Sequence, residues 1–149
     1  MNKLVKFQKN SKDMIINFEN VSSIYNDKER NKIIINFNYS IKLKNKIIPD
    51  YLYINYETSE EEKNILDKIQ LITNSWIKNR DRFVNPKMIS SIKFDDKRNR
   101  IIVNLNYTIS AKDNEGNMIL TSDFSYIDFE IKDLYEIEKE RIIKNSVEI

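Results

Sequence analysis

The sequence predicts an α+β fold built by tandem duplication of one ββββα unit, with antiparallel sheets that each end in one C-terminal helix and are related by a pseudo-twofold. Three observations predict it: an internal repeat, a period-two apolar pattern inside each copy, and an amphipathic segment closing each copy. The repeat comes first. Val21-Ser22-Ser23-Ile24 aligns with Ile89-Ser90-Ser91-Ile92 at an offset of 68, and 12 of the 21 aligned positions through Ile41 and Ile109 are identical. Self-similarity over a fixed period marks a repeated structural unit. A second block, Asp50–Glu57, aligns with Asp123–Glu130 at an offset of 73. The extra residues of the second copy fall around Asp113-Asn114-Glu115-Gly116-Asn117, which is turn chemistry and lengthens a hairpin loop.

The strands follow in order. Ile33, Ile35, Phe37, Tyr39, Ile41 and Leu43 alternate with Ile34, Asn36, Asn38, Ser40 and Lys42. That period of two belongs to a half-buried strand. The second copy repeats it with Ile101, Val103, Leu105, Tyr107 and Ile109. Before each long strand lies a short one at 21–24 or 89–92, then a polar turn at Asn26–Asn31 or Asp95–Asn99. A third strand follows at 51–57 or 123–131, and a leading one is expected at Met14–Phe18 or Arg82–Asn85.

Each copy closes with a helix. Ser59 with Glu62 reads as a capping box, and Glu60 and Glu61 suit the positive helix start. Ile65, Ile69, Ile72 and Trp76 then share one apolar face. In the second copy Asp133 with Glu136 marks a similar start, and Leu134, Tyr135, Ile137 and Ile142 give a weaker face. The expected halves are 1–80, with an N-terminal tail, and 81–149. They pack as one unit, because about 65 residues with one helix make a marginal domain alone.

Composition narrows the function. The chain of 149 residues has no cysteine, no histidine and one glycine. Disulfides, thiolate metal sites, the commonest neutral-pH base and Gly-rich phosphate loops are all excluded. No catalytic group, metal site or cofactor is expected, and the chain reads as a non-enzyme. Lys3, Lys6, Lys9 and Lys12 punctuate an N-terminus without a continuous apolar stretch, which does not read as a signal peptide. No apolar run approaches the roughly 20 residues that span a bilayer, so no membrane partner and a cytoplasmic setting are expected. Abundant Ile, Lys and Asn fit an AT-rich genome, and a phage or plasmid gene also fits.

Candidate binding residues fall in three groups. Asn36, Asn38, Asn104 and Asn106 line the non-core face of the long strands, where amides can read a base edge or a partner strand. Tyr51, Tyr53, Tyr56, Phe124, Tyr126 and Phe129 decorate the last strands, with Tyr53 and Tyr126 as candidate stackers. Aromatics also fill cores, so packing competes with that reading. Lys93, Lys97, Arg98 and Arg100, with Lys78, Arg80, Arg82 and Lys87 near Trp76, form a basic stretch at the start of the second copy, broken by Asp95 and Asp96. The carboxylate runs read as solvated turns and helix faces.

The stretch Arg82-Phe83-Val84-Asn85-Pro86-Lys87-Met88-Ile89-Ser90-Ser91-Ile92 resembles small bacterial flagellar proteins of the FlbD type, which run short strand, Asn-Pro, strand, strand, helix. The first copy has Asn17-Phe18 where the second has Asn-Pro. At fold level the tandem is similar to Whirly-type single-strand-binding proteins. Neither resemblance carries a function across. The leading expectation is a small adaptor that binds a protein partner through a sheet face or edge, with self-association open. The alternative is a protein that binds single-stranded nucleic acid through sheet aromatics and basic residues.

Overall fold

The computed structural model describes residues 4–9 and 12–146. Lys3 of the basic tail, the last three residues of the second half, and the side chains of Lys9 and Leu43 lie outside the described set. The chain is mixed α+β, with ten strands and two helices in the described residues. In order these are β1 (Leu4–Lys9), β2 (Lys12–Asn17), β3 (Val21–Asp27), β4 (Lys32–Leu43), β5 (Lys46–Asn55), α1 (Ser59–Ile72), β6 (Ile77–Lys78), β7 (Arg82–Val84), β8 (Ile89–Asp95), β9 (Arg100–Lys112), β10 (Met118–Asp128) and α2 (Lys132–Lys144). All pairings are antiparallel.

The strands form three sheets rather than two four-stranded ones. β1 pairs with β2, β10-β9-β8 form a second sheet, and β5-β4-β3-β7-β6 form the third. The leading strand of the second half, β7, therefore joins the sheet of the first half, pairing Ser23 with Val84 and Tyr25 with Arg82. The corresponding leading strand of the first half, β2, pairs with β1, and among the described residues β8 pairs with β9 alone. Strand exchange thus runs one way, and the pairing does not express a pseudo-twofold.

Local chemistry is nonetheless the same at matched positions. Asn31 and Asn99 take φ of 52° and 51°, a left-handed conformation that Asn tolerates better than most residues. Each carbonyl then accepts a backbone N–H from after the third strand, from Tyr56 at 3.1 Å and Phe129 at 3.0 Å. Asp27 and Asp95 each accept the N–H and guanidinium of the arginine three residues on. Ser22 and Ser90 each donate to the carbonyl of the facing asparagine, Asn36 or Asn104. Between β9 and β10, Asp113 Oδ1 accepts the N–H groups of Glu115 and Asn117, and Gly116 at φ 84° closes the lengthened loop.

Two apolar clusters result. The first packs Ile24, Ile33, Ile35, Ile54 and Phe83 of the five-stranded sheet against Ile69 of α1 and against Phe7, Ile16 and Phe18. The second packs Ile101, Val103, Leu105 and Ile127 against Tyr135 and Ile142 of α2, and it takes Ile77 and Val84 from the five-stranded sheet. The two sheets therefore share a layer through β6 and β7. Polar bridges reinforce it: Ser22 Oγ meets Tyr107 Oη at 3.2 Å, Arg82 Nη1 donates to Ser125 Oγ at 3.3 Å, and Ser110 Oγ accepts the Ile47 N–H at 2.8 Å.

Several element details differ from the sequence reading. The N-cap of α1 is Thr58, whose Oγ1 accepts the Glu61 N–H at 3.1 Å, not Ser59 with Glu62. Glu62 turns inward instead and accepts from Asn26 and from Tyr56 Oη. These donors hold its carboxyl below the ordinary value, while burial and Glu62 push the Tyr56 phenol up to about 12. The helix ends at Ile72, because the Thr73 N–H and Oγ1 both close on Ile69 O. α2 starts at Lys132 without a side-chain cap, and it exposes Leu134 and Ile137 while burying Glu138. β5 and β10 begin five residues earlier than expected. Among the described residues no helix is long and apolar enough to cross a membrane.

Candidate nucleic-acid interface

One face of the three-stranded sheet is buried; the other is open. Alternation and register decide which residues share the open face. Ile101, Val103 and Leu105 point to the core, so Arg100, Ile102, Asn104 and Asn106 point outward. Across the ladder, Asp95, Lys93 and Ser91 of β8 and Asp128, Tyr126 and Phe124 of β10 lie opposite Arg100, Ile102 and Asn104. The open face therefore reads in three rows. They are Asp95–Arg100–Asp128, Lys93–Ile102–Tyr126 and Ser91–Asn104–Phe124.

Two aromatic rings dominate this face. Phe124 is 47% exposed and Tyr126 40% exposed, with ring centroids 5.1 Å apart and planes at 46°. The Arg100 guanidinium carbon lies 4.2 Å from the Tyr126 centroid. Its Nε and Nη2 also donate to Asp128 Oδ1 and Oδ2 at 2.6 and 3.3 Å, a two-pronged pair that holds the guanidinium flat. Asn104 donates through Nδ2 to Ser91 Oγ at 3.0 Å, which fixes its amide plane. Lys93 is exposed and has no ion-pair partner among the described residues.

The five-stranded sheet carries a related arrangement. Lys32 Nζ stands 4.3 Å from the Tyr53 ring centroid, Tyr51 is exposed beside it, and Asn36 donates to Ser23 Oγ at 3.2 Å. Arg82 lies 4.1 Å from the Tyr25 centroid and bridges to Ser125, so its guanidinium is a strut between the two sheets. Arg98 is paired with Asp95 at 2.8 Å, and that pairing holds the Asp95 carboxyl below its ordinary value. Arg80 is exposed in the loop before β7. Asn38 lies half-buried where the β4–β5 ladder is interrupted, and Asn106 is exposed.

The structure thus brings Asn104, Asn106, Tyr126 and Arg100 onto one face and sets Asn36 and Tyr53 on another. Trp76 joins neither. It is 6% exposed and packs its ring 6.2 Å from Phe18, because the chain has left the helix before it and turned into β6. Tyr56 and Phe129 are also inside, Tyr56 in the first cluster and Phe129 against Tyr135. Lys93 and Phe124 complete the open face. The sequence offered Lys93 in the basic stretch and Phe124 among the strand aromatics, and alternation in β8 and β10 left open which parity faces water.

No family model matches the chain, and no curated protein matches it. A solved structure that resembles it is the LytTr DNA-binding domain of a putative methyl-accepting/DNA response regulator from Bacillus cereus. The likeness covers 94% of this chain and 96% of that one, at 14% identity and a TM-score of 0.44. The expectation of a protein-binding adaptor is corrected at this point: the resembling domain is described as DNA-binding. A likeness at this score transfers no residue role, and the reading below rests on the chain's own surface.

Proposed function

We propose that this chain binds single-stranded nucleic acid across the open face of β8, β9 and β10. The observation that carries the reading is the exposed Phe124–Tyr126 pair on a sheet, backed by Arg100. Exposed aromatic rings on a sheet offer stacking surfaces to unpaired bases, at about 1–3 kcal/mol per base. Asn104, its amide held by Ser91, offers a carbonyl oxygen to a base edge. Lys93, across Ile102 from Tyr126, and Lys97 in the β8–β9 turn are placed to meet phosphates. A duplex would keep its bases stacked inside, out of reach of two rings on an open sheet. The role requires no turnover and no cofactor.

We also infer that the two halves, 1–80 and 81–149, descend from one duplicated unit. The matched Asp–Arg turns, left-handed asparagines and Ser–Asn bonds support this. In this reading the Tyr51–Tyr53–Lys32 group is the matched counterpart of the Phe124–Tyr126–Arg100 face.

The test is fluorescence anisotropy with a labelled single strand across a salt series. Most arginines on this face are committed to carboxylates, so few phosphates are neutralised. With two lysines engaged, the slope of log K against log salt should be shallow, about −1.4 at roughly −0.7 per phosphate. Lys93→Glu should weaken binding and flatten the slope further. No binding at low salt would end the proposal.

A further inference from the structure

The two long hairpins break their ladders at the same place. In β9–β10 the register passes from Thr108–Ser122 to Asn104–Phe124, so Asp123 alone stands opposite Leu105, Asn106 and Tyr107. In β4–β5 it passes from Ser40–Pro49 to Asn36–Tyr51, so Asp50 alone stands opposite Phe37, Asn38 and Tyr39. Asp50 and Asp123 are matched positions of the repeat, and so are Tyr39 and Tyr107. A break of this kind bends the strand locally and re-aims the side chains beside it.

The same two bonds close both breaks. Asp123 Oδ1 accepts the Phe124 N–H at 2.9 Å, and its Oδ2 accepts the Tyr107 hydroxyl at 2.5 Å. Asp50 Oδ1 accepts the Tyr51 N–H at 2.9 Å, and its Oδ2 accepts the Tyr39 hydroxyl at 2.7 Å. Each carboxylate thus ties a tyrosine of the facing strand to the backbone of the aromatic residue that follows it. The tie recurs although Tyr39 is exposed and Tyr107 is buried, so burial does not produce it. In the second half it has a further anchor, because Tyr107 Oη also meets Ser22 Oγ of β3 at 3.2 Å. Alternation puts Asp123 and Tyr107 on the core side and the Phe124 ring on the open side.

We propose that Asp123, held by Tyr107, is a positioning residue for the strand-binding face: it fixes the backbone at Phe124 and so sets that ring beside Tyr126 and Asn104. On the single-strand reading, on which this rests, Asp123 acts through Phe124 and not on the strand itself. A ring already fixed in place loses little freedom when a base stacks on it, which favours binding.

The experiment is a double-mutant cycle read by fluorescence anisotropy with a labelled single strand. Phe124→Ala should raise the Kd at least about fivefold, the weak end of one lost stack. Asp123→Ala should raise it by a comparable factor, yet add less than about twofold once Phe124 is alanine, because both act through one ring. Asp123→Asn keeps an oxygen for the Phe124 N–H and offers an N–H to Tyr107, so it should recover wild-type affinity within about twofold. Circular dichroism checks folding. If Asp123→Ala does not fold, Tyr107→Phe takes its place in the cycle with the same expectation. Weakening by Phe124→Ala without weakening by Asp123→Ala overturns the proposal and leaves the single-strand reading standing. Equal costs of Asp123→Ala with and without Phe124 do the same. Indifference to Phe124→Ala overturns the role of that ring and the proposal together.

Discussion

Replacing Asn85 with alanine should destabilise the protein by about 2–4 kcal/mol. Asn85 is buried where β7 leaves the five-stranded sheet and makes four hydrogen bonds there, one of them from the Met88 N–H to its carbonyl. Its backbone N–H donates to Ser22 O at 2.9 Å and survives the substitution. Its Oδ1 caps the 3₁₀ turn, and losing such a cap costs about 1 kcal/mol. Its Nδ2 satisfies Val21 O, and stranding a buried polar group costs about 1–3 kcal/mol. With a urea m value of about 2 kcal/mol/M, the midpoint should fall by about 1–2 M. Asn17→Ala provides the control, since Asn17 caps the first turn through one exposed bond to the Glu19 N–H and should cost no more than about 1 kcal/mol. Urea titration followed by circular dichroism measures both. If Asn85→Ala stays within about 0.5 kcal/mol of wild type, or Asn17→Ala costs as much, the bridging role of Asn85 is wrong.

Three further outcomes are expected. Burial raises the Asp123 carboxyl above its ordinary value, so its stabilising contribution is complete below about pH 4 and is lost as pH rises through the folded value. Asp123→Asn should therefore gain on wild type as pH climbs from 4 to 7, and a pH-independent difference in urea midpoint would contradict this. Thr58→Ala removes the one side-chain bond to the Glu61 N–H and should cost about 1 kcal/mol in the same titration. Phe83→Ala empties a fully buried site in the first cluster and should cost about 3–5 kcal/mol; a loss below about 1 kcal/mol would mean the core is not packed as described.

Much of the local structure was legible because it is written in short-range chemistry. The polar turns at Asn26–Asn31 and Asp95–Asn99 and the long alternating strands each follow from residues close in sequence. What was not legible depends on which strand meets which. A three-residue strand such as Arg82–Val84 carries no mark of its neighbour, and the five-stranded sheet captured it from the second half. Tyr39 and Tyr107 occupy matched positions, yet Tyr39 is 49% exposed and Tyr107 is 8% exposed. The difference is tertiary: Tyr107 meets Ser22 and donates to Asp123 at 2.5 Å, whereas Tyr39 donates to Asp50 in solvent.

The candidate face shows the same division. Alternation put Asn104 and Asn106 on the non-core side, and the structure agrees. It could not reveal that Arg100 would be held by Asp128, 28 residues away, or that Arg82 would become a strut. Trp76 looked available because it lies beside the basic residues Arg80 and Arg82, although its spacing also continued the apolar helix face of Ile65, Ile69 and Ile72. Thr73 ends the helix first, and the ring turns inward.

The most direct test compares wild type with the Phe124→Ala/Tyr126→Ala double variant for binding a labelled single strand by fluorescence anisotropy. Both rings are substantially exposed, so folding should persist, as circular dichroism can verify. At about 1–3 kcal/mol per stacked base, losing both should raise the Kd at least about 30-fold. A double variant that binds within twofold of wild type would contradict the account.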